Sequence, residues 1–366
     1  MKIEIPQLTF TRFLAAISIV IFHYAAEYFP FNTPTLHYFI SHANLGVCYF
    51  FVLSGFILSI VYEASFFSKP GALKKFFIAR FARIYPVYLI ALLLGMASVW
   101  LYQREKFSAA SAVSNALLIQ AWIPLHLKTY NLPGWSLSVE AFFYLTFPWL
   151  IYKIFKGSFR TSTILAFAIW MVSFILYLFV FNPAFPGAEE NTYINAVTNP
   201  LLQMNNFLIG IAGGIAYSQG KFNLIKKHSS LFLAFASVLM LLLFFIPNPL
   251  VENARDGLLA PLFLLFILSL AYNRGSISRM LSNRFLVYLG DISYGIYILQ
   301  APLGMWYKGM LIKSGIVLEE SMFIYSFIVF LVFFSAISYS FIEKPLRLYL
   351  RSNKSGEQKM YTQMIK

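Results

Sequence analysis

Apolar residues run in long blocks along nearly the whole chain, and the short segments between them collect most of the lysines, arginines, prolines and glycines. The blocks match the roughly 20 residues that a helix needs to cross about 30 Å of hydrocarbon. Ten are predicted, at residues 7–29, 44–63, 83–103, 134–152, 161–181, 200–219, 229–247, 256–273, 287–308 and 321–345. The expected fold is therefore all-α: a polytopic membrane protein with about ten transmembrane helices. Residues 1–350 form the membrane domain, and 351–366 are expected to be a disordered cytoplasmic tail. The pattern reveals no soluble domain, low-complexity tract or short repeat.

Composition agrees with that pattern: 59% of the 366 residues are hydrophobic and only 11% are charged, against about a quarter charged in a soluble domain. Charge then orients the chain. With the N-terminus inside, 22 of the 28 lysines and arginines fall on the cytoplasmic side, and six fall outside: Arg104, Lys106, Lys128, Arg255, Lys308 and Lys313. That asymmetry predicts two cytoplasmic termini and a multi-pass protein of the cell inner (cytoplasmic) membrane. The same bias accounts for the net charge of +14 without nucleic acid, since no basic run forms a soluble phosphate-tracking surface. The single cysteine, Cys48, excludes an intramolecular disulfide and reads as a packed thiol.

Two segments need separate treatment. The first apolar block is too long for a cleavable leader and is interrupted by Arg12, so it is expected to remain as a membrane helix. Residues 107–123 are moderately apolar but include three serines, an asparagine and a glutamine, which predicts an outer interfacial or re-entrant segment. The outer loop 103–133 and the acidic loop at Glu189 and Glu190 are then the main surfaces offered to an external partner.

Ionisable side chains inside a bilayer are costly and usually functional. Arg12 and His23 share the first block and are eleven residues apart. On a helix that spacing puts both on one face, separated by roughly 16 Å along the axis. His23 is the one histidine expected inside the membrane, with His37, His42, His126 and His228 assigned to loops. A neutral imidazole there can take a proton from a hydroxyl; the competing reading is a ring satisfied by nearby helix carbonyls. Glu27 follows His23 by one turn but belongs near the interface. Glu140, expected about 7 Å below the outer start of the fourth helix, matches the expected depth of His23 and would fix the imidazole tautomer.

At the opposite face, Arg80 and Arg83 lie in KKFFIARFARIYP, residues 74–86, three apart and able to grip phosphate oxygens together with Arg12. The same segment would also suit membrane-lipid headgroups. Ser54, beside Gly55, reads as a helix-contact residue. Asp291 and Gln300 are weaker signals, and Glu343 with Arg347 predicts an ion pair one turn apart.

Taken together these segments resemble acyltransferase family 3, membrane O-acyltransferases of bacterial surface polysaccharides and related glycans. RFLAAISIVIFH (12–23), FFVLSGF (50–56), RFARIYP (80–86), WSLSVE (135–140) and EKPLR (343–347) carry the likeness, in order and across nearly the whole chain. The resemblance implies an acyl donor, acetyl-CoA or another acyl-CoA, entering from the cytoplasm and held by Arg80, Arg83 and Arg12. It implies an acceptor hydroxyl on a surface glycan or lipid-linked glycan at the outer side. His23, Glu140 and Arg12 become the candidate catalytic residues, and Trp135, Ser136 and Ser138 the candidate acceptor contacts, with no metal required. Direct transfer and a covalent acyl-enzyme on a serine or tyrosine both remain open. Where the family commonly has a second histidine this chain has Gln300, and Thr9 and Phe13 replace the usual acidic and glycine residues around Arg12. The additional extracytoplasmic hydrolase-like domain of many members is not expected.

A reading from another class is a glycan or lipid transporter, which ten helices and an aromatic-rich lining would also suit. It predicts paired half-sequence symmetry with broken helices, and the sequence has no such pairing.

The charge asymmetry has a direct test. A reporter active only in the cytoplasm is expected to work when fused after Lys227 and to be silent when fused after Lys128, and the reverse holds for a reporter active only outside.

Overall fold

The computed structural model describes residues 5–156, 158–176, 190–246, 257–346 and 348–349. It is helical throughout, with no strand among the described residues. The elements used below are α1 (Gln7–Tyr24), α2 (Pro34–Ser41), α3 (Gly46–Val61), α4 (Ala72–Tyr102), α5 (Ala109–Ala116), α6 (Gly134–Trp149), α7 (Phe159–Leu176), α8 (Glu190–Thr198), α9 (Met204–Ser218), α10 (Asn223–Lys227), α11 (Ser229–Phe245), α12 (Ala260–Tyr272), α13 (Ser276–Leu281), α14 (Arg284–Lys313) and α15 (Glu320–Ser338).

Each of the ten predicted blocks contains a helix, but among the described residues five stretches are both long and apolar enough to cross a membrane. These are Gln7–Tyr24, Pro34–Val61, Ala72–Tyr102, Phe159–Leu176 and Glu320–Leu346. The others are shorter or more polar. α6, α9, α11 and α12 have 16, 15, 17 and 13 residues, and the 30-residue α14 carries Asp291 and Gln300 among its tyrosines and glycines. The protein is thus an all-helical, multi-pass membrane protein. His37 lies on α2 rather than in a loop, because Pro34 opens a short helix with its fixed φ at the first position.

Glycine sets the closest packing. An added Cβ at Gly55 would overlap the carbonyl oxygen of Phe207, and one at Gly210 would overlap that of Val52. Gly214, four residues on, faces Ser59 and Phe56. α3 and α9 therefore touch backbone to backbone through a small-xxx-small stripe, as membrane helices do when packing rather than hydrophobic burial drives association. Gly55 marks this contact as the sequence predicts, although the adjacent Ser54 has another role described below.

The segment after α4 takes the re-entrant of the two courses that its sequence predicts. Tyr88 Oη donates to Asn115 O at 2.8 Å and Tyr85 Oη to Ala116 O at 3.0 Å. Those tyrosines lie 14 and 17 residues before the end of α4, roughly 21–26 Å along its axis. α5 and the turns that follow it thus re-enter the bundle. Gln120 Nε2 donates to Gly134 O at 2.7 Å, Asn131 Nδ2 to Ile298 O at 3.0 Å, and the Ala121 N–H to Ser138 Oγ at 3.3 Å. These bonds satisfy the polar backbone that a non-helical excursion would otherwise leave bare. They also start α6 deep inside the protein.

Gly55→Ala and Gly210→Ala are each expected to destabilise by about 1–3 kcal/mol through overpacking. The lipid-exposed control Leu93→Ala should move little. Thermal unfolding of the detergent-solubilised variants provides the comparison.

Candidate functional site

α1 and α14 run side by side in the same direction. Gly290 is packed against the carbonyl of Thr9 at one end, and Tyr24 Oη donates to Gln300 O at 3.1 Å beside Gly304 at the other. This pairing supplies a ruler for depth. Arg12 is level with the Asp291–Ser293 turn of α14, whereas His23 is nearer the level of Gln300 to Gly304.

At the Arg12 level a cavity of about 410 Å³ is lined by α1, α3, α4, α6 and α14. Arg12, Arg80 and Arg83 all line it, together with Glu140 and Asp291. The arginines that lie about seventy residues apart in sequence are brought to one chamber. Glu140 accepts a short hydrogen bond from Tyr144 Oη and a longer one from Ser54 Oγ at 3.5 Å. The charge of Arg83 acts on both Glu140 and the buried Glu343. Asp291 accepts from Tyr339 Oη at 3.1 Å. Tyr294 Oη donates to Ile84 O at 2.5 Å, fastening α14 to α4 beside the chamber. Such an arrangement can hold an anion while nearby carboxylates limit repulsion among the guanidinium groups.

Ser136 and Tyr297, both lining residues and both buried, share a hydrogen bond of 2.8 Å, and Phe50 packs edge-on against Tyr297 with ring centroids 6.0 Å apart.

His23 does not line this chamber. Its ring is exposed, is packed edge-on against Phe22 and Tyr24, and makes no hydrogen bond to Glu140. The expected His23–Glu140 partnership is thus absent, for a topological reason. The re-entrant segment starts α6 within the bundle, so six further residues carry Glu140 down to Arg12, while His23 is roughly 16 Å along α1 from that level. Among the candidate acceptor contacts, Ser136 faces the chamber, Ser138 is buried and accepts from Ala121, and half-buried Trp135 packs edge-on against Phe51. Gln300 is buried; its Nε2 donates to Tyr297 O at 2.8 Å and its Oε1 has no hydrogen-bond partner.

Sequence reasoning missed several chamber residues. Ser54 reads as packing because it adjoins Gly55, yet successive helical positions face different ways, and one meets α9 while the other meets Glu140. Tyr144 was discoverable as the residue one turn after Glu140. Tyr294 and Tyr297 are hidden among 23 tyrosines. Arg347, Glu189, the side chain of Glu190 and the tail 351–366 lie outside the described residues.

Residues 5–343 match the family model described as the acyltransferase domain of acyltransferase family 3. The chain is 30% identical over 233 residues to the acyltransferase MdmB of Streptomyces mycarofaciens, covering 60% of this chain and 59% of that protein. It is 25% identical over 368 residues to SACOL0978 of Staphylococcus aureus, which carries the provisional name O-acetyltransferase, covering 94% and 57%. YrhL of Bacillus subtilis, provisionally named a peptidoglycan O-acetyltransferase, is 24% identical over 94% of this chain and 55% of its own length. The chain therefore spans little more than half the length of these relatives. No solved structure matches it significantly.

Removing the chamber carboxylate should expose the repulsion it limits. Glu140→Ala is expected to lower stability by about 1–3 kcal/mol, and less so in an Arg83→Gln background, because the two groups act on each other. Unfolding of the two single variants and the double variant measures that coupling.

Proposed function

The chain belongs to acyltransferase family 3, and from that premise we propose that it is a membrane O-acyltransferase. The reaction moves an acyl group, most simply acetyl, from acyl-CoA on the cytoplasmic side to a hydroxyl of a surface glycan or glycan precursor on the outer side. The provisional O-acetyltransferase names of relatives support the acetyl group, and the peptidoglycan named for one of them supports a glycan acceptor. The proposal takes ten membrane spans, two cytoplasmic termini and residence in the cytoplasmic membrane from the apolar blocks and the 22-to-6 charge asymmetry.

The observation that carries this reading is the gathering of Arg12, Arg80 and Arg83 around one chamber. Three guanidinium groups suit the phosphates of CoA, for which Arg supplies planar, forked donors. The Arg12–His23 face of α1 gives the long pantetheine arm a course from the chamber toward the outer side. There the acceptor hydroxyl oxygen attacks the thioester carbonyl carbon as His23 takes its proton. The carbon–sulfur bond then breaks, the new ester leaves with the acceptor, and the departing CoA thiolate takes up the proton from the imidazolium. Glu140 serves the chamber rather than the imidazole, offsetting the charge of Arg83 and holding its place through Tyr144 and Ser54.

His23→Ala is expected to lower transfer from labelled acetyl-CoA by about 10²–10⁴-fold while the protein remains folded and inserted; full turnover would remove the base. Arg80→Ala and Arg83→Ala are each expected to raise the KM for the donor by roughly tenfold or more, the scale of one lost charge-assisted hydrogen bond. Unchanged donor KM in both would reassign the pair to lipid contact. Mass spectrometry of surface glycans with and without the gene should register a loss of one acetyl increment per modified unit.

A further inference from the structure

The two arginines of the 80–86 segment are not held alike. Arg80 makes a single hydrogen bond among the described residues, Nη2 to Tyr62 Oη at 3.3 Å, and its Nε is buried without a partner. Its guanidinium lies over two aromatic rings, 5.4 Å from the centroid of Tyr62 and 5.7 Å from that of Tyr144. Arg83 has no such cradle and is held by the charges of Glu140 and Glu343.

Tyr62 is itself fixed. It follows α3 at the helix end, where its N–H donates to Leu58 O at 2.8 Å, and its ring packs against Phe66 at 5.0 Å and Phe76 at 5.1 Å. Phe76 is fully buried and stacked on Phe147. Tyr62 does not line the chamber, so its reach to any ligand runs through Arg80.

We propose that Tyr62 is a positioning residue: it holds the Arg80 guanidinium in a fixed plane, with most of its donors unspent, for a phosphate group of the acyl donor. The proposal rests on the donor reading above and adds to it the part of the donor recognised here and the residue that sets the grip. A ring contact suits this task better than a carboxylate. It orients the cation by its flat face without cancelling its charge, so the Nη donors not spent on Tyr62 remain available in the guanidinium plane. Preorganisation of this kind removes the ordering cost of a long side chain from the binding step.

The test compares binding of CoA and of pantetheine, which has the arm and thiol but no phosphate, to the full chain in nanodiscs. Arg80→Gln is expected to weaken CoA by tenfold or more and leave pantetheine unchanged. Tyr62→Leu, which removes ring and hydroxyl, should weaken CoA by roughly tenfold, again without affecting pantetheine. Tyr62→Phe, which keeps the ring, should cost only about threefold. The Arg80→Gln/Tyr62→Leu double variant should bind CoA no more weakly than Arg80→Gln alone.

Normal CoA affinity in both Tyr62 variants, with Arg80→Gln weakened, overturns the positioning role and leaves the donor reading standing. Equal weakening of CoA and pantetheine in Tyr62→Leu overturns it as well, because a general distortion of the chamber would not select for phosphate. Normal CoA affinity in Arg80→Gln removes Arg80 from donor binding and takes the proposal with it. If Tyr62→Leu is not recovered folded, Tyr62→Phe decides alone, and unchanged CoA affinity in that variant is the contrary result.

Discussion

Charge held inside an apolar bundle has to be compensated or given a task, and that constraint organises this protein. Three arginines line one chamber, with Glu140 and Asp291 on its wall and Glu343 buried behind Arg83. Glu140 is anchored by Tyr144 of its own helix and by Ser54 of α3, and Asp291 by Tyr339. The aromatic residues so abundant here are thus more than lipid-facing filler. Tyr62, Tyr144 and Tyr339 supply the polar tips that let charge persist among apolar helices.

The glycine stripe between α3 and α9 serves the same end at a distance. Close backbone contact at Gly55 and Gly210 fixes the face of α3 that turns away from α9, and Ser54 lies on that face beside Glu140. The re-entrant segment plays the matching part on the other wall. By spending its amide donors on Gly134 O and Ile298 O it begins α6 at mid-depth, which lets a short helix deliver Glu140 to the level of Arg12. Packing and placement of charge are one problem here.

Helix positions were legible in the sequence because apolar block length reflects bilayer thickness directly, and the eleven-residue interval from Arg12 to His23 was legible because helical geometry is regular. The gathering of Arg12 with Arg80 and Arg83 also followed from charge, which sorted all three to one face. The depth of Glu140 did not, since it depends on where α6 starts, and that is set by hydrogen bonds between segments far apart in sequence. Tyr62 was illegible for a related reason: a ring at a helix end signals nothing until folding sets an arginine from the next helix over it. Ser54 was misread because its neighbour Gly55 offered a sufficient packing explanation.

The hydrogen bond between Ser136 and Tyr297, with Phe50 edge-on against the tyrosine ring, ties α6, α14 and α3 together at the chamber wall. Sliding any one of these three helices would break that junction, so a hydroxyl pair and a phenyl ring, with no covalent tie, hold the polar room to one shape.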